Sequence, residues 1–189
     1  MGCKLKKANF KFYVAIGVCI LLVVACIVAG ACTLRTVQED GWYRSKYYVA
    51  LYIYTYHELP DNFITKEQAS NIKDGTEKKK YNIGGDTFFN REGHIDNPEG
   101  IRLVECDIYT GTSSISSRGA ERIVFFSDGS LVLYTSDHYD TFTPITMWDI
   151  NGTSYVLFGA SGVSFVALVV VVSVGISKRK SRKEDVVSQ

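Results

Sequence analysis

Two uncharged apolar runs constrain this chain before any other feature. Phe12 to Leu34 extends for about 23 residues and Tyr155 to Ile176 for about 22, each long enough to cross a bilayer. Residues 1–11 form a basic N-terminus with Lys4, Lys6, Lys7 and Lys11. Residues 177–189 form a basic tail with Lys178, Arg179, Lys180, Arg182 and Lys183. Positive flanks stay in the cytoplasm, so both termini are expected there and residues 35–154 on the extracytoplasmic side of the cell membrane. The two assignments agree, because two spans return the chain to the side on which it began. A competing reading takes the first run as a signal peptide cut near Ala29-Gly30-Ala31, which leaves a secreted domain; the length of the run favours an uncleaved anchor. Ala160 and Ser164 have the small-xxx-small spacing with which the second span would pack on the first.

About 120 residues remain between the runs, enough for one folded domain. We divide them into a polar linker at 35–44, a domain at 45–145 and a second linker at 146–154. The near-neutral whole chain hides an uneven distribution: residues 35–154 hold twelve Lys and Arg against eighteen Asp and Glu, a net charge of about −6. An acidic domain is a poor general binder of nucleic acid, and any RNA chemistry needs a local basic pocket. Four of the five cysteines, Cys3, Cys19, Cys26 and Cys32, lie in or beside the first run, which leaves Cys106 alone in the domain. That excludes a disulfide framework and zinc-ligand spacing there. Cys106 alternates with acidic neighbours and is expected to be an unreactive core thiol.

Inside the domain, Tyr47 to His57 places Val49, Leu51, Tyr52, Ile53 and Tyr56 in a dense apolar helix stopped by Leu59-Pro60-Asp61-Asn62. Thr65 and Gln68 form a capping box for a second helix, with Lys66 at its start. Lys78-Lys79-Lys80 reads as a solvated loop and Ile83-Gly84-Gly85-Asp86 as a turn. The loop Phe88-Phe89-Asn90-Arg91-Glu92-Gly93 exposes amide groups beside a carboxylate, a donor and acceptor pattern suited to the edge of guanine. From Ile101 to Ile108, Val104, Cys106 and Ile108 alternate with Glu105 and Asp107, so one strand face enters a core and two carboxylates share the other. Arg118 and Arg122 precede Ile123-Val124-Phe125-Phe126, and an Asp128-Gly129 turn returns the chain through Leu131 to Tyr134 before Asp137-His138-Tyr139. Taken singly, His138 reads as a surface histidine and Glu105 with Arg122 as an ion pair across strands. Together on one sheet face, Glu, Arg, Arg and His suit cleavage of a phosphodiester.

The strings Thr55-Tyr56-His57-Glu58-Leu59-Pro60-Asp61-Asn62-Phe63-Ile64-Thr65-Lys66, Ile83-Gly84-Gly85-Asp86, Asn90-Arg91-Glu92-Gly93 and Asp137-His138-Tyr139-Asp140-Thr141-Phe142 closely resemble the barnase-type guanyl-specific microbial ribonucleases, over about residues 45 to 145. The resemblance implies an α+β fold, with N-terminal helices packed on an antiparallel sheet whose open face carries the site. It implies Glu105 as general base and His138 as general acid, with Arg118, Arg122 and Lys66 around the scissile phosphate. It also implies Asn90, Arg91 and Glu92 in a guanine-reading loop, Tyr139 lining the site, and Asp86 and Asp107 holding the cations. No metal or cofactor is implied. Single-stranded RNA is the expected substrate, not DNA, with the membrane and a proteinaceous inhibitor as further partners. The chain departs from the family in Phe89, which replaces a small polar residue, in a shorter stretch between Lys66 and Ile83, and in a longer one from Ile108 to Ser117. Two other readings are a non-enzymatic membrane receptor that keeps the fold to bind a ligand, and a ribonuclease toxin released or delivered to other cells.

Overall fold

A computed structural model describes residues 2–96, 98–108 and 118–187. The expected lengthening between Ile108 and Ser117 therefore lies outside the described residues. Two compact units emerge, one of Arg35–Ile150 and one built from the chain up to Leu34 together with the chain from Asn151 onward.

The first unit opens with helix α2 (Lys46–Tyr56), which follows the terminal helix α1 (Gly2–Thr33). Val49, Ala50, Leu51, Tyr52 and Ile53 are buried, as the apolar density there predicts. The helix ends on His57, whose φ of 61° is left-handed and whose N–H donates to Ile53 O at 2.8 Å. The His57 ring seats on the β-turn at Gly129, where a Cβ would stand 2.2 Å from His57 Nδ1 and where φ is +73°. Only glycine fits both demands, which is the physical reason for the Asp128-Gly129 turn.

A six-stranded sheet carries the rest. Its strands are β1 (Phe63–Ile64), β2 (Asn82–Thr87), β3 (Leu103–Asp107), β4 (Arg122–Phe126), β5 (Val132–Thr135) and β6 (Thr143–Pro144), and they neighbour one another in chain order. The β1–β2 pair is parallel and every other pair antiparallel. Helix α3 (Lys66–Asn71) and a single turn, α4 (Gly75–Lys78), lie between β1 and β2. Lys80 of the basic run pairs locally with Glu77.

Ile83-Gly84-Gly85-Asp86, expected as a turn, belongs to β2. The register shifts between Gly84 and Asp86 around Gly85, whose φ is +96°. A Cβ on Gly84 would meet Cys106 Cβ at 2.6 Å and Phe63 Cδ1 at 2.8 Å. The two glycines serve close strand approach and a bulge, not chain reversal.

On one sheet face, Val104, Cys106, Ile123, Phe125 and Val132 pack with α2 residues into the main core. Cys106 is 1% exposed, and burial pushes its thiol pKa up, in keeping with an inert core role. The other face is only partly open. Leu103, Val124, Phe126 and Leu133 form a second cluster covered by Ile95, Phe88 and Phe142, while Glu105, Asp107, Arg122 and Thr135 occupy the opposite end. The strand pattern predicted one core; the second arises because the loop after β2 folds back over half of the site face.

The expected linker at 146–154 is helical, because α5 (Met147–Val187) begins eight residues before Tyr155. Asp149 accepts from Thr146 N at 2.7 Å and its own N–H donates to Thr146 Oγ1 at 3.3 Å, a reciprocal cap that starts the helix.

In the second unit, α1 and α5 run antiparallel. Each holds a segment long and apolar enough to cross a membrane, Phe12–Thr33 and Met147–Lys178. On α1 the shielded side chains recur at Phe12, Ile16, Cys19, Val23, Cys26 and Gly30, steps of four and three. On α5 they include Ser154, Ser161, Leu168 and Gly175, steps of seven. A Cβ on Gly30 would meet Phe158 at 2.9 Å, one on Gly175 would meet Phe12 at 2.4 Å, and Thr33 Oγ1 lies 3.0 Å from Ser154 Oγ. This is a heptad seam with ring-into-glycine contacts near both ends. Ser164 lies on the seam, but Ala160 is exposed, about 100° around the helix from Ser161.

Candidate active site

The polar end of the site face is assembled from four directions. Glu105, in the middle of β3, points away from the main core because its neighbours Val104 and Cys106 point into it. Its Oε2 accepts from the Tyr139 hydroxyl at 2.7 Å and its Oε1 from Lys66 Nζ at 2.5 Å. Lys66 is the first residue of α3, fixed by a full capping box between Thr65 and Gln68. Asp86, just past the Gly85 bulge, accepts from Lys66 N at 3.1 Å and lies 3.9 Å from its Nζ. A bulge that re-aims one carboxylate thus sets the start of the helix that supplies the lysine.

Asp107 is two residues beyond Glu105 on the same strand face and is almost fully buried. Arg118 grips it with Nε on Oδ2 and with Nη2 on Oδ1 at 2.7 Å. Arg122, directly across the ladder from Asp107, places Nε 2.8 Å from Oδ1, although the N–H axis is too far off line for a good hydrogen bond. Arg122 is 2% exposed, and its Nη1 donates to Gly119 O at 2.6 Å and Glu121 O at 2.8 Å. Its Nη2 faces His138 Nε2 at 3.5 Å. One carboxylate therefore orients two guanidinium groups, and one of these reaches the histidine. Lys66, Arg118 and Arg122 are matched by Asp86, Glu105 and Asp107, so the pocket is built of cations without being strongly cationic.

His138 and Tyr139 follow β5 with φ of 63° and 82°. Two successive non-glycine residues in the left-handed region cost about 1–2 kcal/mol each and need local support. The conformation lets the same turn present an exposed imidazole to Arg122 and a half-buried phenol to Glu105. Burial, and then the hydrogen bond to Glu105, raise the Tyr139 pKa, so the hydroxyl stays protonated and donates.

The loop after β2 closes on itself. Asn90, at φ 46°, donates from Nδ2 to Ile95 O at 2.6 Å and accepts from Ile95 N on Oδ1 at 3.1 Å, while Gly93 N donates to Asn90 O. The Asn90 amide thus shapes the loop from within. Arg91 and Glu92 stand exposed at its tip, and Phe89 is 74% exposed with the Arg91 guanidinium 5.8 Å from its ring centre. Two contributors escaped the sequence reading. Phe88 lies 5.1 Å, ring to ring, from Tyr139 and forms the apolar wall beside the site. His94 places Nδ1 3.1 Å from Tyr139 O and so joins the loop to the turn. Extending the alternation of β2 past Thr87 would have pointed Phe88 inward; nothing local to His94 signals its partner.

Comparison with known proteins places the same stretch of chain in a family. Residues 49–146 match a family described as ribonuclease. Over 107 residues, 51% of this chain, the protein is 43% identical to a ribonuclease of Bacillus intermedius and to one of Bacillus pumilus, and it spans 62% of the length of each. It is 42% identical to a ribonuclease of Heyndrickxia coagulans, spanning 92% of that protein. The matched region runs from within α2 to the residue before α5 and contains the whole polar cluster. The chain belongs to the ribonuclease family.

Proposed function

We propose that this protein is a membrane-anchored endoribonuclease that cuts single-stranded RNA after guanosine by metal-independent transesterification. The observation that carries the reading is the single hydrogen-bonded cluster in which Tyr139 reaches Glu105 while the adjacent His138 faces Arg122. Glu105 takes the proton of the ribose 2'-OH, and that oxygen attacks phosphorus. His138 protonates the departing 5'-oxygen. Arg122, Arg118 and Lys66 stabilise the negative charge that grows on the phosphoryl oxygens, more strongly in the transition state than in the ground state. The 2',3'-cyclic phosphate is then hydrolysed by the same pair with roles exchanged. DNA lacks the nucleophile and is spared.

Base selection falls to Glu92, Arg91 and the loop amides, with Phe88 and Tyr139 as an apolar wall and Phe89 as an added aromatic surface. Asn90 serves by holding the loop in shape. The two apolar helices anchor the enzyme in the cell membrane with the catalytic unit outside and both termini in the cytoplasm. A proteinaceous inhibitor of acidic character would meet a less favourable surface on this acidic domain than on a basic one. The test is hydrolysis of GpU and ApU in EDTA by the full chain in detergent. Cyclic phosphate formed from GpU in preference to ApU, and lost in Glu105→Ala and His138→Ala, is the expected result. Equal cleavage of both dinucleotides would remove the guanosine preference and leave the enzyme.

A further inference from the structure

The left-handed pair His138-Tyr139 is held by a compact polar network centred on Thr135, which lies directly across the ladder from Arg122. Thr135, the last residue of β5 and 1% exposed, donates its hydroxyl to Asp137 Oδ1 at 2.7 Å. The same Oγ1 accepts from Tyr139 N at 3.1 Å and from Asp137 N at 3.4 Å. Asp137 then reaches across the turn, where Oδ1 accepts from Thr141 N at 3.0 Å and Oδ2 from Thr141 Oγ1 at 2.6 Å. The carboxylate thereby joins the two ends of the seven-residue segment Thr135–Thr141 that carries His138. The donors face an acceptor that is more favourable when charged, and Thr141, through its hydroxyl and then its amide, draws the Asp137 pKa down to about 2.

We infer that Asp137 is a positioning residue for the general acid: by tying Thr135 to Thr141 it holds His138 in a left-handed conformation that presents the imidazole to the leaving oxygen beside Arg122. This rests on the assignment of His138 as general acid. The strand end alone does not fix His138, because Thr135 bonds Tyr139 N and nothing in the network bonds His138 directly. The turn is also closed from its far side, where Thr141 bonds Asp137 and the Phe142 ring packs near that of Tyr139. Without the carboxylate, the backbone of His138 can relax to the ordinary right-handed or extended regions, which swings the ring away from Arg122. His94, which meets Tyr139 O, braces the opposite edge of the turn at Tyr139 and not at His138.

The experiment compares two substrates in the full chain in detergent: GpU, whose departing 5'-oxygen must be protonated, and guanosine 3'-(4-nitrophenyl phosphate), whose leaving group departs without an acid. Asp137→Asn is expected to lower kcat on GpU on the order of 10- to 100-fold with little change in KM, as displacement of a reacting group does. On the aryl ester the loss is expected to be several-fold smaller. Thr135→Ser, which keeps the hydroxyl, should retain GpU activity, and Thr135→Val should reproduce the Asp137→Asn defect; this pair decides the matter if Asp137→Asn fails to fold. Equal losses on both substrates in Asp137→Asn, or full GpU activity in folded Asp137→Asn or Thr135→Val, would overturn the inference. His138→Ala separates the two levels: if it too loses equally on both substrates, the general-acid assignment itself falls.

Discussion

At the scale of single residues, Asp107 bears the largest structural load in the site. It is buried beneath two guanidinium groups, and Arg122 is as buried as it is. Replacing it with asparagine leaves buried positive charge uncompensated, which destabilises proteins by about 3–5 kcal/mol. Urea unfolding of Asp107→Asn at pH 7 should show a loss of that size, and a loss below about 1 kcal/mol would mean that Arg122 is satisfied by backbone carbonyls alone. Asp137 gives a pH signature instead. Its pKa is lowered from the ordinary 3.8 to about 2 in the folded protein, so unfolding takes up a proton in acid. The stabilisation is complete above about pH 4 and fades as pH falls through about 2. The thermal-stability advantage of wild type over Asp137→Asn should therefore shrink across that window, measured by melting at pH 7, 4, 3 and 2. Individual roles were unevenly legible in the sequence. Alternation alone placed Glu105 and Asp107 opposite Cys106, because period two is a local property. The inward use of Asn90 and the partner of His94 depend on how a loop folds over the sheet, which no local pattern encodes.

At the scale of elements, the sequence showed α2, the capping box of α3 and the β4–β5 hairpin, each with its own start or stop signal. It misread two others for identifiable reasons. Gly84-Gly85 has the composition of a turn but serves a bulged strand, since the crowding that demands glycine comes from Cys106 and Phe63, remote in the chain. The reciprocal cap of α5 was present as Thr146-x-x-Asp149 ahead of an apolar run, and assigning 146–154 to a linker overlooked it. The helix pair makes its own prediction. With Thr33 and Ser154 hydroxyls 3.0 Å apart, Thr33→Cys with Ser154→Cys, in a background where Cys3, Cys19, Cys26 and Cys32 are alanine, should form an intramolecular disulfide under mild oxidation. Gly30→Leu should suppress it by pushing Phe158 out of the seam. A cross-link that forms regardless would argue against the heptad packing.

At the scale of the whole molecule, charge distribution and the catalytic cluster have to be read together. The segment between the apolar runs is acidic, and the three cations of the site are matched by three carboxylates, so the attraction we propose for an RNA backbone is local and modest. Single-stranded RNA neutralised by about three cations gives a salt slope of about 2 in log KM against log salt, and a steeper slope would show that other basic residues take part. The extracytoplasmic placement we propose fits an enzyme whose activity the cytoplasm could not tolerate without an inhibitor. The central claim is that Glu105 and His138 act as base and acid on RNA without metal. Its most direct test is the pH dependence of kcat/KM for GpU in EDTA, for wild type, Glu105→Ala and His138→Ala. A bell-shaped profile in wild type, with the ascending limb lost in Glu105→Ala, the descending limb lost in His138→Ala, and both rates reduced by about 10²–10⁴, is the predicted result. Full activity in either variant, or a wild-type profile that neither substitution alters, would contradict it.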